Sequence, residues 1–237
     1  MKKSIFFAAI LIAALGFTGC GGSEKGVDLT VKVKVMHGDL LNNQIDEARA
    51  VGYIDLGGGS WDDIIIATAP FKNGGFKITL PEKMDERLLK PLNLESWFSG
   101  VSNLTISNKD VVGTQLDNFE AFKNNSFVGR FCSYYTGDVY NYGGRGEIFF
   151  LFFDGDCKIS GSHTETIGSE KYEFTIDMNL KKGWNMCYYT YISAGNIVIQ
   201  KYTTKKPELD FGWYFEYWGG YYAPPKDAKP FKFFKER

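Results

Sequence analysis

Histidine, cysteine and charge imbalance are all scarce in this sequence of 237 residues. There are two histidines, His37 and His163, and no pair of the four cysteines has the CxxC spacing of a zinc or thioredoxin-like site. The 27 basic and 28 acidic residues give a net charge of −1, so the sequence lacks the basic excess of a nucleic-acid-binding protein. No G-x-S-x-G, H-E-x-x-H or P-loop motif is present, which removes the sequence signatures of several common enzyme classes.

The one long apolar run lies at the N-terminus, where Lys2 and Lys3 precede the uncharged segment 5–17. That segment is too short to span a bilayer as a mature helix, but it suits an export signal. It ends in Phe17-Thr18-Gly19-Cys20, which resembles the lipobox of bacterial lipoproteins. An ordinary secretory signal with an incidental cysteine is the alternative.

We therefore predict a lipoprotein signal peptide at 1–19, lipidation of Cys20, and a flexible tether at 20–26. Several acyl chains on one cysteine anchor a protein stably, so membrane attachment through Cys20 is expected. The predicted location is the outer membrane, on its periplasmic or cell-surface side. Three other cysteines, Cys132, Cys157 and Cys187, allow either one disulfide and one thiol or three buried thiols, and we favour the thiols.

Phe, Tyr and Gly are abundant, at 20, 14 and 27 residues, which favours strands and turns over helices. The segment 27–36 alternates apolar and polar residues, as expected of a strand with one buried face. Further strands are predicted at 48–56, 61–68 and 76–80, with a hairpin turn at Asn73-Gly74-Gly75.

The second half of the chain alternates strand patterns with turn residues at regular spacing. The segment 148–153 is apolar on both faces, so it needs a second covering layer: the other domain or the Phe-rich C-terminal tail. The predicted strands are 112–122, 127–135, 146–153, 157–164, 171–180, 184–192, 197–204 and 211–218.

These patterns predict an all-β protein with two β-sandwich-like domains, the second an antiparallel meander of about eight strands. The predicted N-terminal β-domain covers 27–95, a connector follows at 96–111, and the C-terminal β-domain covers 112–222. The tail at 223–237 is basic, so it could touch anionic lipid or discourage edge pairing.

Two short motifs resemble those of a group of Bacteroidetes envelope lipoproteins. One is Asn73-Gly74-Gly75-Phe76 followed by Leu80-Pro81, and the other is Leu180-Lys181-Lys182-Gly183-Trp184-Asn185. The resemblance implies an envelope lipoprotein with an immunoglobulin- or transthyretin-like first domain and a second β-domain, and it implies no activity. Both motifs look structural, with Gly183 serving a turn and Trp184 anchoring a core or a domain contact.

The most suggestive candidate for binding is the aromatic segment 211–222. As a strand it places Phe211, Trp213, Phe215 and Tyr217 on one face, and Tyr214, Glu216 and Trp218 on the other. The candidate ligand-binding residues are therefore Tyr214, Trp218, Tyr221 and Tyr222. Partly exposed rings beside hydrogen-bonding groups stack on sugars or form hot spots of protein interfaces. The alternative is that these rings pack beneath the tail or against the first domain.

Features that suggest catalysis or metal binding are weak. Asp154-Gly155-Asp156 offers too few ligands for calcium and reads better as a hairpin turn. The acidic pairs Asp62-Asp63 and Asp46-Glu47 are expected to be solvated, and both histidines are expected near turns. We expect no cofactor, no metal and no enzymatic activity. The leading hypothesis is a non-enzymatic envelope lipoprotein that binds a glycan or a protein; an assembly component of an outer-membrane complex comes second, and an envelope hydrolase last.

Overall fold

The computed structural model describes residues 29–91, 98, 101, 103–135 and 145–217. Strands make up 68% of those residues and helix 4%, which confirms the all-β class. The strands are β1 (Leu29–Lys34), β2 (Glu47–Gly57), β3 (Ser60–Pro70), β4 (Gly75–Leu80), β5 (Lys90–Pro91), β6 (Thr105–Ile106), β7 (Val112–Leu116), β8 (Phe119–Lys123), β9 (Ser126–Tyr135), β10 (Arg145–Phe153), β11 (Cys157–Ile167), β12 (Glu170–Leu180), β13 (Gly183–Ala194), β14 (Ile197–Thr203) and β15 (Phe211–Tyr217). Two single turns of 3₁₀ helix lie at Gly38–Leu41 and Glu86–Leu88.

The described strands form three sheets. One has two strands, β1 and β4, and one has five, in the order β15-β9-β8-β2-β3. The third has eight strands, in the order β5-β7-β10-β13-β14-β12-β11-β6, and it is curled. The five-stranded sheet takes β2 and β3 from the N-terminal side of the connector at 96–111, and β8, β9 and β15 from the C-terminal side. The domain boundaries themselves stay a prediction.

The eight-stranded sheet differs from the antiparallel meander that the sequence predicts. Only two of its seven neighbouring pairs, β11–β12 and β13–β14, join strands that follow each other in the chain. β14 lies between β12 and β13, and it runs parallel to β12. In the turn that leads from β12 to β13, the Asn185 amide donates to the carbonyls of Lys181 (2.7 Å) and Gly183 (3.0 Å) and accepts from the Lys181 N–H (2.8 Å). Gly183 has a φ of 94°, a conformation that favours glycine.

The strand predicted at 112–122 is wrong, because two strands cover this segment. β7 ends at Leu116 and β8 begins at Phe119, with Asp117 and Asn118 between them. The break carries the chain from the eight-stranded sheet to the five-stranded one. Asp and Asn suit such a break because their short side chains compete with the ladder for backbone hydrogen bonds.

The central strand β10 is buried on both faces, as its sequence predicts. One face lies in a cluster that we call the first core, built from Ile148, Phe150 and Phe152 together with residues of the five-stranded and two-stranded sheets. The opposite face lies in the second core, with Phe149, Leu151 and Phe153 inside the curl of the eight-stranded sheet. The second layer that the sequence requires is therefore supplied in part by the segment 27–95, including Val33, Phe76 and Ile78.

A side chain joins the two larger sheets where no ladder does. Ser133 of β9 is buried, and its Oγ accepts from the Ile148 N–H (2.6 Å) and donates to the Ile148 carbonyl (3.1 Å). The Ser133 side chain thereby satisfies both backbone groups of Ile148, which would otherwise need another buried partner. β9 and β10 are therefore fixed directly against each other at this point.

The segments 73–81 and 180–185, which carry the two short sequence motifs, meet in the structure. Asn73 and Gly74 have φ values of 52° and 72°, so the predicted hairpin turn between β3 and β4 is present. A Cβ on Gly75 would lie 2.2 Å from the Val33 carbonyl oxygen, so only glycine fits there. Trp184 is buried, and its Nε1 donates to the Pro81 carbonyl (3.0 Å). That bond ties the eight-stranded sheet to the end of β4.

Truncation on either face of β10 is expected to be costly. Phe150→Ala in the first core and Leu151→Ala in the second should each lower the free energy of unfolding by about 2–5 kcal/mol, because each leaves a buried cavity. Lys158→Ala, at an exposed position of the same sheet, serves as a control and should change it by less than about 0.5 kcal/mol. Urea unfolding followed by tryptophan fluorescence gives the three values. A loss near zero for either core variant would mean that its face of β10 is not packed.

Candidate functional site: the outer face of the five-stranded sheet

The structure places one of the four predicted ligand-binding residues. Tyr214 lies on β15, whereas Trp218, Tyr221 and Tyr222 lie outside the described residues, as does Cys20. The predicted alternation of β15 is confirmed: Trp213 and Phe215 are buried in the first core, while Tyr214 is half-buried and Glu216 exposed on the opposite side. We call that opposite side, where the five-stranded sheet faces away from the first core, the outer face.

A row of alternating charges crosses four strands of the outer face. Arg49 on β2 is the register partner of Glu120 on β8, Glu120 is the partner of Arg130 on β9, and Arg130 is the partner of Glu216 on β15. Opposite charges on directly paired residues stabilise a sheet and oppose a register slip. Glu120 is only 7% exposed, so this charged row is partly withdrawn from water.

Two tyrosine hydroxyls donate hydrogen bonds to the carboxylates of the charged row. Tyr53 donates to Glu120 Oε1, and Tyr134 donates to Glu216 Oε1 (2.5 Å). Burial, followed by the hydrogen bond to a carboxylate, raises the pKa of both tyrosines. Both hydroxyls therefore stay protonated and act as donors at any physiological pH.

The Tyr214 ring packs beside the Tyr134 ring, with centroids 5.9 Å apart and planes tilted by 40°. At the far end of the charged row, the Arg49 guanidinium lies 3.8 Å above the centre of the Phe122 ring. Stacked guanidinium groups and offset rings lose little side-chain freedom when a partner binds. The outer face is therefore a rigid surface.

Large apolar side chains continue the same face toward the sheet edge. Tyr53, Trp61 and Ile65 are 47%, 60% and 52% exposed. Trp61 and Ile65 are the register partners of Asp55 and Val51. Asp55 and Val51 each lie two residues from Tyr53 along β2, and every second residue of a strand faces the same side. The side chains of Tyr53, Trp61 and Ile65 therefore all point outward. An exposed Trp and Ile on one sheet face, next to charged residues, mark a surface that contacts something else.

Cys132 lies among these groups but is not built as a nucleophile. Its Sγ donates to Glu216 Oε2 (3.5 Å). Burial, and then the negative charge of Glu216, raise the pKa of the thiol from 9.0 to about 12. The thiolate is the reactive form of cysteine, so Cys132 is inert near neutral pH. Cys157 and Cys187 are also thiols, both buried in the second core.

The other candidate groups have structural partners. Asp156 accepts from Lys181 Nζ (2.8 Å) and the Lys182 N–H (2.9 Å), while Asp154 accepts from the Val112 N–H (2.9 Å). Asp46 accepts from Lys123 Nζ (2.6 Å). Within the described residues, no group of three His, Cys, Asp or Glu side chains is arranged to hold a metal. These carboxylates hold turns and strand ends together.

Sequence reasoning missed most of the outer face. Arg130, Cys132 and Tyr134 alternate along the predicted strand 127–135, so their common side was readable from the sequence. Their position next to Tyr214 was not, because strand pairing between β9 and β15 depends on contacts between residues about eighty positions apart. Tyr53 lies beside Glu120 only through the pairing of β2 with β8, and the face of Trp61 depends on the irregular pairing of β3 with β2.

Comparison with known proteins adds no relative: no protein-family model, curated protein or solved structure matches the chain. In the part of the chain that the structure describes, no helix is long and apolar enough to cross a membrane. The exposed surfaces of the described residues are therefore the features that bear on function.

The protected thiol gives a test of the outer face. Iodoacetamide at about pH 8 should leave Cys132 unmodified in the folded protein and alkylate it after unfolding, because the thiolate is nearly absent when the pKa is about 12. Peptide mass spectrometry reads the modification. Complete alkylation of Cys132 in the folded protein would show that the site is open.

The raised pKa of the Cys132 thiol also makes the free energy of unfolding depend on pH. A thiol with a raised pKa contributes stability that is full below its unfolded pKa and is lost as the pH rises toward the folded value of about 12. Between about pH 8 and pH 11, wild type should therefore lose more unfolding free energy than Cys132→Ala. Equal losses in urea titrations of both proteins would contradict this.

Proposed function

We propose that the chain is a non-enzymatic lipoprotein of the cell envelope, anchored through Cys20, whose outer face binds a protein partner. One observation carries the choice of surface: Tyr53, Trp61 and Ile65 are exposed on the same sheet face as the charged row and Tyr214. Tyr, Trp and Arg are the residue types that dominate the binding energy of protein interfaces.

The form of this face favours a protein over a glycan. It is one face of a sheet, whereas small ligands prefer concave sites that bury most of their surface. The Tyr134 hydroxyl and the Glu216 carboxylate already bond each other, which leaves fewer directional groups for sugar hydroxyls. Engaged charges flanked by exposed apolar rings suit a partner with a complementary charged and apolar surface.

The assembly-component hypothesis also has an observation in its favour. β3 is the outermost strand of the five-stranded sheet among the described strands, and it carries three consecutive isoleucines, Ile64, Ile65 and Ile66. Edge strands of this kind accept a further strand from a partner. In that case β3 would pair permanently with a strand of another envelope protein, and the outer face would lie next to the added strand.

The anchor is tested by replacing Cys20. Wild type grown with a palmitate analogue should carry the label and sediment with membranes, whereas Cys20→Ser should be unlabelled because no acceptor thiol remains for acylation. Cys132→Ser is the matched control and should be labelled like wild type. Labelling of Cys20→Ser would remove the lipoprotein assignment.

The outer face is tested by site-specific photo-crosslinking in the producing cells. A p-benzoylphenylalanine placed at Trp61 or Ile65 should give a discrete adduct with one protein, because both positions lie on the outer face. The control positions are Ile192 and Ile199, which are comparably apolar and exposed but belong to the eight-stranded sheet.

The adduct should weaken when the tyrosines beside the charged row are truncated. Tyr53→Ala should cost the interface about 2 kcal/mol if Tyr53 is a hot spot. Adducts of equal strength at the control positions, or none at either outer-face position, would overturn the proposal. An adduct from Ile64, Ile65 and Ile66 alike that Tyr53→Ala leaves unchanged would favour strand addition at β3.

A further inference from the structure

Among the described residues, burial falls from one end of the curled eight-stranded sheet to the other. Along the inner face of β12, Leu180, Met178 and Ile176 are fully buried, Phe174 and Tyr172 are half-buried, and Glu170 is exposed. β11 follows the same gradient in register with β12, from buried Cys157 and Ile159 to His163 and Glu165, whose side chains are 30% and 51% exposed. On β14, Val198 departs from the gradient and stays buried beside its register partner Tyr172. The inner face therefore changes from solid core to a half-exposed concave surface toward the ends of the β11–β12 and β13–β14 hairpins.

Aromatic rings form the floor of this concave end. The Tyr202 ring lies 4.7 Å from that of Tyr189, 5.6 Å from that of Phe174 and 5.2 Å from that of Phe98, measured between centroids. It also lies 6.1 Å from the ring of Phe149 in the second core. The floor is thus packed from below and partly exposed above, which holds the ring faces in place for a ligand.

Polar groups surround the aromatic floor. The Tyr189 hydroxyl donates to Gln200 Oε1 (3.2 Å), so the Gln200 amide keeps its two N–H donors for other partners. His163 Nε2 lies 3.8 Å from Glu165 Oε2, on the strand next to Tyr172. Tyr191 is the register partner of Gln200 and projects from the same inner face.

Tyr172 belongs to the same group. Its hydroxyl donates to Glu170 Oε2 (2.6 Å), and this bond is the first cause of its raised pKa. Glu165 is the register partner of Tyr172, and Gln200 of β14 is the partner of both Phe174 on β12 and Tyr191 on β13. Residues from β11, β12, β13 and β14 therefore converge at one half-exposed end.

We infer that the inner face of the eight-stranded sheet is a saccharide-binding site, in which a sugar ring stacks on the half-buried Tyr172 and Tyr191 and bonds through its hydroxyls to Gln200, His163 and Glu165. Ring faces match the apolar C–H faces of a pyranose, while amide, imidazole and carboxylate groups pair with adjacent hydroxyls. This concave site shares no residue with the outer face, so it does not rest on the proposed protein partner.

A purely apolar ligand fits this end less well. The concave end carries a carboxylate, an imidazole, an amide and phenol hydroxyls, which belong to Glu165, His163, Gln200, Tyr172 and Tyr191. An apolar ligand would strip water from these groups without replacing the lost hydrogen bonds, and that loss is costly. A sugar supplies hydroxyls for them and an apolar face for the rings at once.

The test is titration calorimetry of the full mature chain with defined hexasaccharides: β-1,3-, β-1,4- and α-1,4-linked glucose, β-1,4-linked xylose, mannose and N-acetylglucosamine. At least one should bind with measurable heat. Tyr191→Ala and Gln200→Ala should then each raise Kd by about tenfold or more, since about 1.4 kcal/mol of lost contact is a tenfold change.

Two neighbouring positions provide matched controls. Ile192→Ala and Ile199→Ala alter residues next to Tyr191 and Gln200 in the same strands but on the opposite sheet face, so each should leave Kd within about twofold of wild type. Circular dichroism and thermal unfolding establish that all four variants fold.

Three outcomes would overturn the inference. They are no heat with any of the six sugars, equal loss of affinity in inner-face and control variants, and unchanged affinity in Tyr191→Ala and Gln200→Ala. Tyr214→Ala separates the two surfaces: it should not alter sugar affinity, whatever it does to the crosslinked partner, because Tyr214 belongs to the outer face.

Discussion

The burial of β10 on both faces is the constraint from which the rest of the architecture follows. Its six apolar residues cannot be covered by one layer, so the chain must place apolar surface on each side of the strand. One side is covered by curling the eight-stranded sheet until the inner residues of β11 and β12 face those of β10. The other side is covered by the five-stranded and two-stranded sheets, which draw on both halves of the chain. Each phenylalanine placed there contributes on the order of 2 kcal/mol through burial.

Specific polar contacts then fix how the layers sit on β10, because apolar packing alone tolerates some sliding. Ser133 bonds both backbone groups of Ile148, and Trp184 bonds the carbonyl of Pro81. Each contact connects a different pair of layers. Both lie in buried places, where a backbone group without a hydrogen-bond partner would lower the stability of the fold. The charged row does the same within one sheet, since a slip of one residue in a strand would turn its charged side chain toward the first core.

Most strand positions and the two-faced nature of β10 could be predicted from sequence, because period-two alternation and turn residues act over short distances. The alternation of β15 was readable in the same way, with Trp213 inward and Tyr214 outward. Three features could not be predicted from the sequence: the break at Asp117, the insertion of β14 between β12 and β13, and the residues that surround Tyr214. Each depends on which strands pair, and pairing is decided by packing between residues far apart in sequence. The inner-face tyrosines were missed for the same reason, since Tyr172 and Tyr191 are related only through the pairing of their strands with β14.

The layer order determines how the two proposed surfaces relate. Moving from the outer face inward, one meets the five-stranded sheet, the first core, β10 and then the second core, which grades into the concave end. A ligand on the inner face and a partner on the outer face therefore approach from different sides and do not compete for space. The intervening material is close-packed aromatic core. Coupling between the two surfaces would require an alternative packing of that core, so we expect a partner on the proposed outer site and a sugar on the proposed inner site to bind independently.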